Sequence, residues 1–503
     1  MKLKKLLFSI PLLGLLTACT FINVHSSSDN SSSSSNSQSS SSSNSSSGEE
    51  SSSSEESSSS EEPSSSSESS SSSEEPSSSS ESSSSSSSSS ENTQTFNDRI
   101  ANMVSTGIKA TSGEANAKES AIYNQSAILG SAAHPLLNQP TSNYIEIVAI
   151  EQPNQYGDAV LIKCGNAEII IDVGMSSSNY YDDGTSYGNF LKQQYASYIT
   201  DNTVDLMIVS HPHDDHIGGF PGFVSSNVTK IGMLVDYGYR YTGSSESYYY
   251  NQIRNQISSK WGGVYHPVYD CVNSLNNGLP RTYITQELFI DWIDTGVYQS
   301  NPNLSYSNLT YNGSSISDLN ITSVTGILSY KNFSYFFDGD MQNTTSYGDI
   351  DGEINMVSLN SSNPLFHKVT MSKIAHHGST TGTYTQLLTA ITPKISFISA
   401  GRVDSSNSYG SLVGACSGHP HAATLARIKN AGIKAYLNSA SGTLHFVTDG
   451  SLVNPIYFVG APLKSTLLGG KTSDPTALNL PYGSTTDMYN DLWNSTFYEK
   501  CHA

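Results

Sequence analysis

Four side chains of metal-ligating type fall within six positions of the 503-residue chain: His211, His213, Asp215 and His216. They sit in Val209-Ser-His-Pro-His-Asp-Asp-His-Ile-Gly-Gly219. Neutral imidazole nitrogen and carboxylate oxygen are the usual donors to zinc and similar divalent ions. His211 and His213 are two apart, so on extended backbone they project to the same side and can share one ion. Asp215 and His216 follow where the chain turns and can hold a second. Gly218-Gly219 predicts a tight backbone turn beside the site. A His-rich surface loop is the plainer reading, but an apolar run leads straight into this cluster, and surface decoration does not explain that.

That run, Val204-Asp-Leu-Met-Ile-Val209, is short, β-branched and bounded by polar turns, which predicts a buried strand. Ligands released at its end sit on a loop held by a rigid sheet. Upstream, Ile145-Glu-Ile-Val-Ala-Ile150 alternates as a strand does. Gly157-Asp-Ala-Val-Leu-Ile-Lys163 and Glu168-Ile-Ile-Ile-Asp-Val-Gly174 predict a hairpin around Gly165-Asn166, its second strand ending at Asp172. Asn189 to Ile199 reads as a helix. Downstream, Leu328 to Lys331 and Phe333-Ser-Tyr-Phe-Phe-Asp-Gly-Asp340 predict paired strands. Val369-Thr-Met-Ser-Lys-Ile-Ala375 predicts another, running into His376-His377-Gly378-Ser379.

The N-terminus has a different character. Lys2, Lys4 and Lys5 precede an apolar core, Leu6 to Leu16, too short to span a membrane comfortably. It ends Leu16-Thr17-Ala18-Cys19, which looks like a bacterial lipoprotein box. The resemblance implies cleavage before Cys19, a lipid on that cysteine, and a protein tethered at the extracellular face of a bacterial membrane. Residues 26–91 are almost entirely Ser and Glu and cannot bury an apolar face, so no fold offsets the chain entropy. They predict a solvated, extended stalk. The chain carries 24 Lys+Arg against 44 Asp+Glu; residues 1–91 hold 3 and 12 of these, leaving 21 and 32, a net of −11. That balance argues against broad electrostatic attraction to polyanions, though not against a local or metal-assisted phosphate site. Besides Cys19, the cysteines at 164, 271, 416 and 501 are scattered, with no Cys-x-x-Cys pair, so a cysteine zinc site is not expected. Export permits disulfides, but spacing does not pair them. The expected organisation is a signal peptide over 1–19, a linker over 20–91, an extension of unassigned role over 92–142 with helical hints at Arg99–Val104 and Glu119–Leu129, a hydrolase domain over 143–454, and a C-terminal extension over 455–503.

The His-x-His-x-Asp-His loop is that of the metallo-β-lactamase superfamily, which the chain resembles. The resemblance implies an α/β fold, a four-layer αββα sandwich. Gly157-Asp158-Ala159, Asp172-Val-Gly174, the 210–219 loop, Gly339-Asp340, His376-His-Gly-Ser379, Pro393-Lys394 and Gly418-His-Pro-His421 also occur in the order seen in the extracellular hydrolase domain of ComEC-type competence proteins. This likeness covers roughly 144–450 and lacks that branch's membrane channel. It implies that Asp172 supports the metal loop by hydrogen bonding. Asp340, rather than its neighbour Asp338, would bridge two ions. One of His376 and His377, preferably His377, would be the last ligand, the other facing the substrate as an acid or phosphate contact. Many superfamily members place a third His before the Gly-Asp strand; here Asp318-Leu-Asn-Ile-Thr-Ser-Val324 has none. The first ion would then be held by His211, His213 and Asp340.

The resulting expectation is a hydrolase with two divalent ions, zinc or alternatively manganese, about 3.5–4 Å apart, acting on a phosphodiester such as DNA or a cell-wall polymer. His376, or His419, could pass a proton to the leaving oxygen, and His419 could equally be structural. The tyrosines of Asp236-Tyr-Gly-Tyr-Arg-Tyr-Thr-Gly243 and Tyr248-Tyr-Tyr250 could stack on bases, cage a choline headgroup or simply pack. Nucleic acid is the favoured substrate. A choline-phosphate esterase is the alternative enzyme, and a non-catalytic surface binding protein the alternative of another class. No obligate protein partner is expected.

Overall fold

A computed structural model of the protein describes residues 96–110 and 142–460, apart from 154–155, 182–183, 240–244, 273–280, 286, 300–307, 312–313, 317, 344–349, 401–418, 439–441, 453 and 455. The signal segment with Cys19, the Ser/Glu stalk, the helical hint at Glu119–Leu129, Tyr241, Gly418, Cys416, and the C-terminal extension beyond 460 with Cys501 lie outside the described residues. Among the described residues no helix is long and apolar enough to cross a membrane.

Among the described residues, eighteen strands follow the chain. The first seven are β1 (Ile108–Lys109), β2 (Ile145–Ala149), β3 (Ala159–Cys164), β4 (Ala167–Val173), β5 (Thr203–Ile208), β6 (Lys230–Asp236) and β7 (Val264–Pro267). Next come β8 (Arg281–Tyr283), β9 (Leu288–Trp292), the small pair β10 (Thr310–Tyr311) and β11 (Ser314–Ser315), β12 (Gly326–Tyr330) and β13 (Phe333–Phe337). The last are β14 (Met371–Lys373), β15 (Ile395–Ile398), β16 (Lys434–Leu437), β17 (Leu444–Thr448) and β18 (Tyr457–Gly460). One sheet has the order β1-β18-β17-β2-β3-β4-β5-β6-β7, the other β16-β15-β14-β13-β12-β9-β8. Both are mixed. β4 to β7 run parallel in the first, β13 to β16 in the second.

The layers follow from alternation along the strands. In β4, Ile169 and Ile171 point into a core shared with Leu328, Tyr335 and Phe397 of the second sheet. Ile170 and Val173 face the other way, onto Phe190, Leu191 and Tyr195 of the helix Tyr187–Tyr198 and onto Ile257 and Trp261 of the helix Ser245–Trp261. The second sheet packs Ile327 and Phe336 against Met356 and Leu387 of its own outer helices. Helix, sheet, sheet, helix is the expected sandwich. The strands around β4 and β5 read as largely apolar runs because a parallel sheet covered on both faces needs them.

The hairpin pairs Cys164 with Ala167 across Gly165-Asn166, as expected. The helix expected from Asn189 begins earlier, at Tyr187, because Ser186 caps it by accepting from the Asn189 N–H. Arg99 of the helix Phe96–Thr106 pairs with Glu146 of β2 at 2.7 Å, and β1 and β18 complete the sheet edge. The sheet therefore reaches beyond the 143–454 span expected for the domain. Cys164 and Cys271 are buried free thiols.

Two expectations gain detail. Gly218 and Gly219 form the expected turn, between the helices Asp214–Ile217 and Phe220–Val224, with ordinary helical dihedrals. Gly219 is required by close approach: a Cβ there would lie 1.9 Å from the Val173 carbonyl oxygen, so a side chain would push the metal loop off β4. Of the tyrosines left open above, three are core and Tyr248 is exposed. Tyr237, Tyr239 and Tyr250 are buried, and the Tyr237 hydroxyl donates to the Val297 carbonyl at 2.6 Å. Packing is what they do.

Candidate metal centre

Every site residue named above from strands β4, β5, β13 and β14 lies at or just past a carboxyl end. In an α/β sheet this is where chains turn and side chains converge on a crevice. β4 delivers Asp172, and β5 delivers Ser210 to His216. β13 delivers Asp338 to Asp340, and β14 delivers His376 and His377.

The loop after β5 is clamped before it reaches its ligands. Asp172 accepts the Ser210 N–H at 2.7 Å and the Ser210 hydroxyl at 2.6 Å. Its Oδ2 also lies 2.8 Å from His216 Nδ1, which fixes that ring with Nε2 turned away. The support expected of Asp172 is thus visible in its bonds. His211 Nε2 and His213 Nδ1 approach to 3.0 Å, two ring nitrogens on one point, as their spacing required. Asp215 and His216 lie on the one-turn helix Asp214–Ile217.

The other sheet closes the site. Asp340 Oδ2 lies 3.2 Å from His216 Nε2 and 3.1 Å from His377 Nε2. His377 Nε2 is also 3.1 Å from Asp215 Oδ2. The Asp340 N–H donates to Ser323 Oγ at 3.0 Å, and His377 Nδ1 meets the Ser399 carbonyl oxygen at 2.8 Å. Of the two adjacent histidines, His377 is therefore the one inside the cluster. His376 stands at the rim with Nε2 4.0 Å from Asp340 Oδ2, held between Thr381 Oγ1 at 3.1 Å and the Asn320 amide at 3.3 Å. Asn320 and Ser323 occupy the stretch where a third histidine is missing. Asp338 is buried outside the cluster. His419 packs its ring on Tyr156 at 4.7 Å and His376 at 5.2 Å.

Backbone strain concentrates here. Asp172, His376 and His377 are non-glycine residues with φ of 57°, 48° and 51°. Such conformations persist only where the surroundings over-determine them, and they gather at functional sites. Gly339, at φ 53°, has a second reason to be glycine. A Cβ would lie 2.8 Å from Ser210 Cβ, against the loop that carries the first ligands.

The electrostatics match a cation site. Burial alone would raise Asp340 and Asp215, yet His216 and His377 hold both well below the usual carboxylate range. Burial would lower His377, but Asp340, Asp158 and Asp215 raise it to about 10. His211 goes the other way, pushed down by burial and by its histidine neighbours. The buried Nε2 atoms of His216 and His377 make no aligned hydrogen bond despite their short distances to carboxylate oxygen. Donors that crowd one point without bonding one another suit a shared divalent ion. Asp158, His216, Asp340 and His377 offer ligand atoms within 4.8 Å of one another. Asp158 is the weakest member of that group. It approaches the Nδ1 edges of His216 and His377 at 3.7 Å, the sides facing away from Asp340, and its Oδ2 is paired with Lys373 at 2.6 Å.

A model of the metallo-beta-lactamase superfamily matches residues 154–298, which include the whole His211–His216 loop. The chain carries a metallo-beta-lactamase superfamily domain. Its fold is the α/β metallo-β-lactamase fold with two mixed sheets, and its class is that of a metal-dependent hydrolase with a buried His/Asp cluster able to hold metal. No curated protein matches the chain. Similar solved structures include the metallo-beta-lactamase fold protein YhfI from Bacillus subtilis, 12% identical over 60% of this chain and 99% of that one, with a TM-score of 0.33. A diphosphatase of the PhnP family is 9% identical over 51% and 86%, TM-score 0.27. Human tRNase Z, short form, is 12% identical over 58% and 91%, TM-score 0.26.

Sequence reasoning assigned no role to Asp158 or Lys373. A lysine inside an apolar strand, three residues before a His pair, was the signal to follow. A buried charge needs a buried partner.

Proposed function

We propose that this metallo-β-lactamase-fold protein is a two-metal phosphodiesterase that cleaves nucleic acid, tethered at the outer face of a bacterial membrane through lipid on Cys19. The observation that carries the reading is the meeting of His211, His213, Asp215, His216, Asp340 and His377 at strand ends of both sheets. His211 and His213 would hold one ion, Asp215, His216 and His377 the other, with Asp340 between them. When bound, zinc or manganese ions supply Lewis acidity, making water more acidic and neutralising charge that builds on a phosphate.

The protein's own groups do the positioning. Asp172 fixes the His216 ring, and the Ser399 carbonyl fixes that of His377. Burial and His377 push His376 down to about 4, so its ring is neutral at pH 7. A neutral ring at the rim serves as a hydrogen-bond contact to a phosphate oxygen rather than as a charged acid. His419, pushed down to about 2 by burial and the neighbouring histidines, packs behind it and holds it and Tyr156 in place. The buried Tyr237, Tyr239 and Tyr250 offer a face neither to bases nor to a choline headgroup, so they do not separate this reading from the alternative of a choline-phosphate esterase.

The test offers the purified protein single-stranded DNA and a choline-phosphate ester, each with and without chelator. Metal-dependent cleavage of DNA, lost in Asp215→Ala and His216→Ala, is the expected result. Turnover that survives those substitutions would refute the site. Cleavage of the choline ester alone would hand the protein to the other substrate class.

A further inference from the structure

Lys373 closes β14 on one sheet, and Asp158 immediately precedes β3 on the other. Both are buried. The Lys373 ammonium reaches three acceptors. It pairs with Asp158 Oδ2 at 2.6 Å, donates to the Gly339 carbonyl at 2.6 Å, and lies 3.5 Å from Asp340 Oδ1. An ammonium has three N–H donors, enough in number for the three acceptors around it.

The contact divides the two oxygens of Asp340. Oδ1 faces the ammonium, and Oδ2 faces His216 and His377 Nε2. Asp158 is held in the same way, its Oδ2 taken by Lys373. A fixed positive charge beside a cation site repels the ion it should help to bind. A neutral side chain would serve affinity better, so what the lysine provides is geometry. A free carboxylate can swing or offer both oxygens, and a free Asp158 could turn into the cluster. The ammonium prevents both.

We propose that Lys373 is a positioning residue of the metal centre: it makes Asp340 present Oδ2 alone and keeps Asp158 out of the ligand set. This rests on the metal-centre reading above. It also ties the two sheets together at the site, alongside the hydrogen bond from Ser399 Oγ to the Gly157 carbonyl at 2.7 Å.

The experiment loads the full chain with Co(II) and reads stoichiometry and the visible d–d bands in wild type, Lys373→Met and Asp158→Asn. Wild type should bind two ions. Lys373→Met should shift the bands in position and intensity as Asp340 or Asp158 changes its coordination. Asp158→Asn should keep two ions and wild-type bands, because Asp158 is not a ligand. Wild-type bands in Lys373→Met, or loss of an ion in Asp158→Asn, would overturn the proposal. If Lys373→Met fails to fold, Asp158→Asn decides: two ions with unchanged bands support it, and one ion overturns it. Failure of the wild type to bind any ion would instead refute the metal centre itself.

Discussion

The two halves of the centre are built in opposite ways. One half is a single loop, His211 to His216, clamped by Asp172 and contained within the residues that match the superfamily model. The other half lies outside that match. It takes Asp340 from the end of β13 and His377 from the end of β14, and holds each by a separate neighbour, Ser323 and Ser399. The loop gets its geometry from sequence spacing. The second half gets it only from strand register, and it needs a buried ion pair with the first sheet to fix which atoms face inward.

Breaking either half should cost the same if they form one centre. His216→Ala and Asp340→Ala should each lower cleavage by at least about 10²–10³-fold, the loss attached to one electrostatic group in a buried site. Activity retained in one and lost in the other would mean that the halves work apart. Asp172→Asn touches only the loop half and leaves every ligand in place. It should weaken metal binding by about 10–100-fold, measured by competition with a chelating dye.

The halves also differ in their response to pH. A histidine with a raised folded pKa gives its full stability below the unfolded value near 6.5 and loses it as pH climbs to the folded one. For His377 that window runs from about 6.5 to about 10. Metal-free protein should therefore melt at lower temperature at pH 9 than at pH 7, and His377→Gln should flatten that slope. His211, depressed by burial, does the reverse: its contribution is present above about 6.5 and fades as pH falls below it. His211→Gln should flatten the acid side only. The smallest change, Ser323→Ala, removes one acceptor from the Asp340 N–H. It should cost about 1 kcal/mol in a denaturant titration and leave the loop half unaltered.

This contrast also explains what could be read from residues alone. The four ligands of the loop are local, so their types and spacing disclose them. The parallel strands show themselves as apolar runs, and the sandwich follows. Asp340 and His377 were legible because glycine or histidine neighbours mark their strand ends. The pairing of Lys373 with Asp158 was not: a lysine in an apolar strand signals only that a buried partner is needed, and the apposition of the sheets supplies it. Gly218-Gly219 shows the same limit. The turn is local and legible, whereas the need for glycine at 219 comes from Val173 pressing on it from another strand. Tyr237, Tyr239 and Tyr250 look like a binding face by composition and are core by packing.

The most direct test is anomalous diffraction from crystals of the metal-loaded protein, with data at the metal's absorption edge. Two peaks are predicted, one beside His211 and His213, one among Asp215, His216 and His377, with Asp340 Oδ2 between them. No peak in the cluster, or a single peak out of reach of Asp340, would contradict the account.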